Sequence, residues 1–453
     1  MRQLTISKGN QTFQVSAEES DSILNILQKN GFSLPASCGG RGVCGHCTVI
    51  ADGQEVRACH TTVGSISHIQ LPDTLLFSDI EMPTAESVSV VSSHCGIAVD
   101  LGTTTIALAL VDLNNGTILS SKGYPNPGIS YGADVLSRME ASNLGKGNLL
   151  QQDLLALISK GIHTLLQSFG IPADKLDSIC ISANTAMCHL LRNLSCKTLG
   201  QAPFTPTALS FDDMTAKDFF ATDVFPNTTV SLLPCLDAFI GGDILSGLYF
   251  LDLPKKDSLS LFIDLGTNGE MVLGKKGHLL ASSVAAGPAF EGSRIPGSIV
   301  IDALYEMQQK GAIDHTGLLQ GIFFHTGYTY QDYSFTQEDI RDIQLAKASV
   351  RAGIETLFTQ YGVSADNIKQ VYLSGGFGTN TDVFKAISIG LLPSNCSGKV
   401  SCVGNTSLLG AIKYLRYPNP AYFDRLKEYT SVISLAESAS YKEAYLKYID
   451  FVS

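Results

Sequence analysis

The sequence predicts an α/β protein in two parts, a small β-rich N-terminal unit followed by a larger body of two related lobes. Three observations carry that expectation. Cys38, Cys44, Cys47 and Cys59 fall on an early glycine-rich stretch, SCGGRGVCGHC followed by RAC. From Cys95 onward, apolar strand-like runs alternate with helix-like periods. The run that ends in Asp100 recurs, with the same turn residues, at Asp264.

Composition bounds the function. The chain has 453 residues, 44% hydrophobic and only 16% charged, enough for two or three real cores. A net charge of −11 supplies no basic face for a phosphate backbone, so no nucleic-acid partner is expected. The opening MRQLTISKGNQTFQVSAEES is polar and strand-like rather than a secretory leader. The most apolar stretch, 88–113, is interrupted by Asp100, Asp112, glycines and hydroxyl residues and is too polar for a bilayer. The expectation is a cytoplasmic protein without a membrane partner, in which eleven cysteines stay reduced or bind metal.

Residues 1–70 form the first predicted unit. Leu4–Ser7 and Thr12–Ser16 alternate around a Gly-Asn turn and read as a hairpin. Ile23, Leu24, Ile26 and Leu27 fit a short amphipathic helix ending at Gly31. The cysteine loop follows, and then Thr48–Ile50 and Glu55–Ala58 read as strands around an Asp-Gly turn. This order is that of the small β-grasp ferredoxin fold. The spacing C-x5-C-x2-C-x11-C differs by one residue from the plant-type iron–sulfur pattern. Gly39, Gly40, Gly42 and Gly45 let the backbone wrap a cluster and aim N–H groups at its sulfurs. A structural zinc site also takes four cysteines, but it usually comes as two C-x2-C hooks and this chain has one. The set therefore reads as ligands of a [2Fe–2S] cluster. His46 and His60 adjoin it without being needed as ligands, and the other seven cysteines are scattered as small buried thiols.

Residues 71–94 mix Ser, Asp, Glu and Pro without a period and read as a linker. The body, 95–415, divides into lobes of roughly 95–245 and 255–415, followed by a helical tail at 416–453. In GIAVDLGTTTIALAL a strand ends in Asp100 and turns through Gly102, Thr103, Thr104 and Thr105. SLFIDLGTNGEMVLG repeats this at Asp264, Gly266, Thr267 and Asn268. Such turns offer backbone N–H groups and hydroxyls to phosphate oxygens, while the aspartates can hold Mg²⁺ or water. In VYLSGGFGTN a strand runs into Gly375 and Gly376, whose bare backbone would let an adenosine approach.

One such turn is a weak signal, but three in the order DLGT, DLGT, SGGFG after apolar strands resemble the actin-like (ASKHA, ribonuclease H-like) ATPases. The resemblance implies that ATP lies between the lobes. It implies a first connecting helix in FIGGDILSGLYFLDL and a second in GNTSLLGAIKYL. It makes Asp243 a candidate for orienting the attacking water, the alternative being a simple helix cap. The helix predicted over Asp339–Leu357 resembles an adenine-contacting element, with Gln344, Lys347 and Arg351 toward the nucleoside or, alternatively, on a solvated basic face.

The segments ISANTAMCHLL, FIGGDILSG, IDLGTNGEMVLG, SVAAGPAFEG, TQEDIRDIQLAKASVRAGIETL, YLSGGFGTN and VGNTSLLGA, with the N-terminal cysteine unit, resemble the reductive activators of corrinoid proteins along residues 1 to about 415. That resemblance implies ATP-dependent transfer of one electron from a [2Fe–2S] cluster to Co(II), giving Co(I) for methyl transfer. It also implies an upstream electron donor and a homodimer joined through the ATPase domain. The short linker departs from longer members. An activator of another low-potential enzyme, a redox-sensing ATPase and, more weakly, a sugar kinase stand as rivals.

Overall fold

The computed structural model describes residues 2–8, 11–30, 32, 34, 47–71, 80–81, 94–266, 268–287, 295–375, 381–435 and 438–451. The chain divides into two compact units, 1–234 with 414–417, and 235–413 with 418–453.

The first unit opens with the cysteine domain. Strands β1 (Arg2–Lys8) and β2 (Gln11–Ala17) pair as the expected antiparallel hairpin. Helix α1 (Ile23–Lys29) starts at Ser22, whose hydroxyl accepts from Asn25 N and satisfies a free helix-terminal donor. β3 (Thr48–Ala51) and β4 (Gln54–Arg57) turn through Asp52 and Gly53, both at positive φ (44° and 83°), as a tight hairpin requires. Strand β5 (His68–Gln70), too short to show a period, completes the sheet order β2-β1-β5-β3-β4. Leu4, Ile6, Ile23, Leu27, Val49 and Ile69 fill its core.

Within the expected linker, β6 (Ile80–Glu81) pairs with the sheet that follows, a two-residue contact that no sequence period announces. That sheet contains β7 (Cys95–Leu101), β8 (Thr105–Asp112), β9 (Ile118–Pro125), β10 (Leu176–Ala183), β11 (Met214–Thr215) and β12 (Thr229–Leu232), in the order β11-β12-β10-β7-β8-β9-β6. β7, β8 and β9 run antiparallel, whereas β10 adds parallel to β7. Helix α2 (Val135–Ala141) leads into α3 (Gly147–Ser168), which buries Leu150, Leu154, Ile158, Ile162 and Leu165 at helical spacing and packs on β8 and β9. Helices α4 (Thr185–Leu191) and α5 (Ala216–Phe220) complete the unit.

The second unit repeats this plan. After helix α6 (Gly242–Leu251), β13 (Ser260–Leu265), β14 (Gly269–Lys275) and β15 (His278–Val284) form an antiparallel trio. Helices α7 (Gly297–Gln309) and α8 (Phe323–Thr326) and the small hairpin β16 (Tyr328–Tyr330) and β17 (Tyr333–Phe335) precede the long helix α9 (Gln337–Tyr361). α9 is longer than the predicted span because a Thr336–Asp339 capping box opens it and Gly362 in the left-handed region closes it. β18 (Gln370–Gly375), helix α10 (Val383–Ser388), β19 (Val400–Gly404) and helix α11 (Thr406–Arg416) follow. β18 adds parallel to β13, giving the order β19-β18-β13-β14-β15-β20. The tail is not wholly helical. Between α12 (Pro420–Tyr429) and α13 (Ala439–Lys447), β20 (Thr430–Val432) joins the free edge of β15. Among the described residues no helix is long and apolar enough to cross a membrane.

Helices α6 and α11 meet at small residues. Ser246 Oγ donates to Ser407 O at 2.7 Å. A Cβ on Gly410 would overlap the Ser246 carbonyl oxygen, and one on Gly247 would stand 2.8 Å from Thr406 Oγ1. Gly410→Ala is expected to cost about 2 kcal/mol, in the range for overpacking a dense contact, and to lower the urea midpoint. A midpoint equal to that of the parent chain would contradict the crossing.

Candidate functional site

The cysteine domain brings two of its four predicted ligands together. Cys47 enters β3 and Cys59 follows β4, so the Asp52-Gly53 hairpin sets them side by side. Ala58 N donates to Cys47 O at 2.8 Å, and the two sulfurs stand 3.2 Å apart. That is well beyond the ~2.05 Å of a disulfide and suits two thiolates facing one metal. Cys47 is buried, and Leu24 N donates to Ala58 O, tying α1 to the pair. Cys38 and Cys44 lie outside the described residues. Two convergent thiols, in a sequence that supplies two more cysteines in the glycine-rich run just before Cys47, fit an iron–sulfur cluster.

In the first unit, β7 delivers Asp100 to a turn in which Gly102 N donates to Thr105 O at 3.0 Å. Gly102 has to be glycine because a Cβ would sit 2.7 Å from that oxygen. The carbonyls of this turn are held from behind. Asn126 Nδ2 donates to Gly102 O (2.7 Å), Asn126 N to Thr104 O (2.7 Å) and Arg138 Nη1 to Thr103 O (2.6 Å). Asn184 Nδ2 donates to Thr103 Oγ1 at 3.2 Å. Asn126 and Arg138 are both buried. Their role was not legible in sequence, since neither belongs to the DLGT run and each reaches it from a later element.

In the second unit, the turn after Asp264 is one residue shorter. Leu265 pairs with Gly269, and Gly266 N donates to Asn268 O at 2.9 Å, whereas the first hairpin pairs Leu101 with Ile106. Thr267 lies outside the described residues. Opposite Asp264 across the ladder stands Glu270, where the first hairpin has Ala107 opposite Asp100. Burial, then the charges of Asp243 and Asp264, push the Glu270 carboxyl well above its usual range. Ser283 Oγ donates to Glu270 Oε1 at 3.2 Å. Ser374 Oγ donates to Asp264 Oδ2 at 2.9 Å. That hydroxyl also stands 2.7 Å from Thr406 Oγ1 and accepts from Thr406 N at 3.3 Å.

The other predicted residues fall as follows. Asp243 is the second residue of α6, whose cap is Gly241, so Asp243 is not the helix cap. Its carboxylate accepts from Ile244 N at 2.8 Å. Gly375 has φ +85°, and a Cβ there would overlap Leu265 O and come 2.7 Å from Asp264 Oδ1. It therefore lets β18 pass the aspartate. Gly376 lies outside the described residues. The three α9 side chains expected at the nucleoside, Gln344, Lys347 and Arg351, are buried and serve packing. Lys347 is buried and donates to Tyr448 O (2.7 Å) and Asp450 O (2.6 Å), and burial pulls its pKa down to about 8. Arg351 donates to Glu355 and to Leu392 O, and Gln344 to Thr316 O. The expected basic face of this helix is thus neither solvated nor open, because the tail and neighbouring loops cover it.

Comparison with known proteins agrees with this layout. Residues 6–68 match a 2Fe-2S iron-sulfur cluster binding domain, residues 95–256 the RACo middle region, and residues 258–296 and 294–452 the C-terminal ASKHA domain of RACo. The chain is 27% identical to a corrinoid activation enzyme, RamQ, of Eubacterium limosum, over 78% of this chain and 69% of that one. It is 23% identical to a [Co(II) methylated amine-specific corrinoid protein] reductase of Methanosarcina barkeri, over 69% and 68%. A solved structure of a reductive activator for a corrinoid, iron-sulfur protein shares the fold with a TM-score of 0.73 at 23% identity, covering 99% of this chain and 98% of that one.

The Glu270 environment gives a signed prediction. The fold keeps this proton at pH values where the unfolded chain has lost it, so stability falls as pH rises from the ordinary value of 4.5 toward the raised one. Glu270→Gln removes that slope. Urea unfolding across pH should show the variant gaining on the parent chain as pH rises. A pH-independent difference between the two would contradict the assignment.

Proposed function

The chain belongs to the RACo family of reductive activators, and on that premise we propose that it activates a corrinoid protein by ATP-dependent one-electron reduction. The observation that carries this reading is the union in one chain of a convergent Cys47–Cys59 pair with two sheets that each end in an Asp-Leu-Gly turn. Neither half alone specifies the reaction.

Cys38, Cys44, Cys47 and Cys59 are the proposed holders of a [2Fe–2S] cluster. Such a cluster supplies one low-potential electron, the change that takes Co(II) to Co(I). The hairpin between Cys47 and Cys59 fixes half of the ligand set before anything binds, and the burial of Cys47 keeps water from that side.

Gly102, Thr103, Thr104 and Thr105 in one unit, and Gly266, Thr267 and Asn268 in the other, are the proposed phosphate contacts of ATP. The clamp of Asn126 and Arg138 on three successive carbonyls supports the first assignment, because it fixes the peptide planes of the turn. Asp100 and Asp264 are suited to hold Mg²⁺ or its water. Asp243 is the candidate for orienting the attacking water, a reading supported by its charge acting on Glu270 alongside that of Asp264. Glu270, whose carboxyl is pushed toward its neutral form, stands opposite Asp264 across the ladder. Gly375 and Gly376 are the proposed approach for the adenosine. Lys347 is left to the tail.

The resemblance that supports a corrinoid partner also supports a homodimer joined through the ATPase domain, an upstream electron donor and work in the cytoplasm. The test is anaerobic. Reduced protein, ATP and a Co(II) corrinoid protein should together develop the Co(I) absorption. Cys59→Ser should abolish it while ATP binding persists. Asp264→Asn should slow it about a hundredfold, the scale of one lost electrostatic contact in an active site. Reduction of other acceptors while Co(I) never forms would defeat the reading.

A further inference from the structure

One face of the cysteine domain is seated within the first unit. Leu34, four residues before Cys38, donates its N–H to Ser130 Oγ at 3.0 Å, and Gln28 Nε2 of α1 donates to Ser130 O. The other end of the same amide, Gln28 Oε1, accepts from Lys146 Nζ at 3.2 Å, and Asn25 Oδ1 accepts from it at 3.3 Å. Gln28 and Ser130 are buried, so these are dry contacts. Among the described residues, the acceptors of the Lys146 ammonium are two neutral amide oxygens, and burial lowers its pKa. A cation desolvated against uncharged partners regains hydration on leaving, which makes the seat easy to open.

The strand end that supplies Ser130 is the same one that clamps the Gly102–Thr105 turn. Ser130 closes a short turn, Pro127–Ser130, capped by Asn126, whose Oδ1 accepts from Gly128 N at 2.8 Å. Asn126 and Arg138 hold the carbonyls of Gly102, Thr103 and Thr104, and Arg138 Nε also donates to Gly132 O at 2.9 Å. A Cβ on Gly128 would stand 2.9 Å from Asn126 Oδ1 and 3.1 Å from Arg138 Cδ, so the segment lies directly on the clamp. Helix α2, capped by Asp134, fixes where Arg138 starts.

We propose that the Asn126–Arg138 segment is a latch through which a phosphate at the Gly102–Thr105 turn loosens the seat of the cysteine domain on Ser130 and Lys146. Turning the N–H groups of the turn around a phosphate rotates its peptide planes, and the carbonyls on the other side of those planes move Asn126 and Arg138. The displacement reaches Ser130 through a single short turn. The released domain can then move away from Ser130 and Lys146, as delivery of an electron to an acceptor outside the chain demands. This inference rests on the phosphate reading of that turn, and Gln28 and Ser130 act in it as positioning residues.

Hydrogen exchange on the full-length, cluster-loaded protein tests it, with and without a non-hydrolysable ATP analogue. Nucleotide should protect the amides of 102–105 and speed exchange in α1 and in 127–147 roughly tenfold, within the ~5–150-fold range of allosteric couplings. Gln28→Ala and, more mildly, Ser130→Ala should exchange fast in α1 without nucleotide, and nucleotide should then add little. Protection at 102–105 with unchanged or slower exchange in α1 and 127–147 would overturn the latch and leave the phosphate reading standing. Absence of protection at 102–105 at saturating nucleotide would overturn both.

Discussion

Asp264 and Glu270 face each other across the β13–β14 ladder, where two like charges repel most strongly. Burial and the charges of Asp243 and Asp264 raise the Glu270 carboxyl, which favours its neutral form opposite Asp264. Ser374 comes beside Asp264 because β18 adds parallel to β13 in the required register. That approach exists only because Gly375 adopts a left-handed conformation in a space that no side chain fits. Thr406, at the start of α11, reaches the same hydroxyl, and α11 in turn is located by its glycine crossing with α6, which carries Asp243. Three carboxyl groups, one serine and one threonine are thus fixed by backbone packing rather than by flexible side chains.

The first unit solves a related problem differently. Its hairpin has Ala107 opposite Asp100, so no carboxyl repulsion arises, and the turn is one residue longer. What positions it is a buried asparagine and a buried arginine reaching for successive carbonyls. The two sheets therefore share a strand order while differing in chemistry at their turns. One is acidic and closed by hydroxyls, and the other is held from behind by amide and guanidinium donors.

Most of the strand and helix framework was legible in the sequence, because alternation and 3.6-residue periods report burial directly. The Asp52-Gly53 turn fixed the hairpin that aligns Cys47 with Cys59, and the repeated Asp-Leu-Gly turns announced two related sheets. What was not legible follows a common physical pattern. β5, β6 and β20 are too short to carry a period: β5 forms between β1 and β3, and β6 and β20 add to open sheet edges. Asn126, Arg138, Ser374 and Glu270 act across long sequence separations, so no local spacing points to them. The polar residues of α9 read equally as a nucleoside contact or a solvated face, and the tail that buries Lys347 lies about a hundred residues away. An acid opposite an acid in a hairpin is the one signal that could have been read, since its register follows from the turn.

The central claim is that ATP makes an electron held at the cysteine site available to cobalt. Freeze-quenched electron paramagnetic resonance on pre-reduced protein, mixed with a Co(II) corrinoid protein and no further donor, follows both centres at once. The account predicts that the reduced-cluster and Co(II) signals disappear together, spin for spin, when ATP is present, and persist when it is omitted. Equal loss of both signals without ATP, or loss of the cluster signal while Co(II) remains, would contradict it.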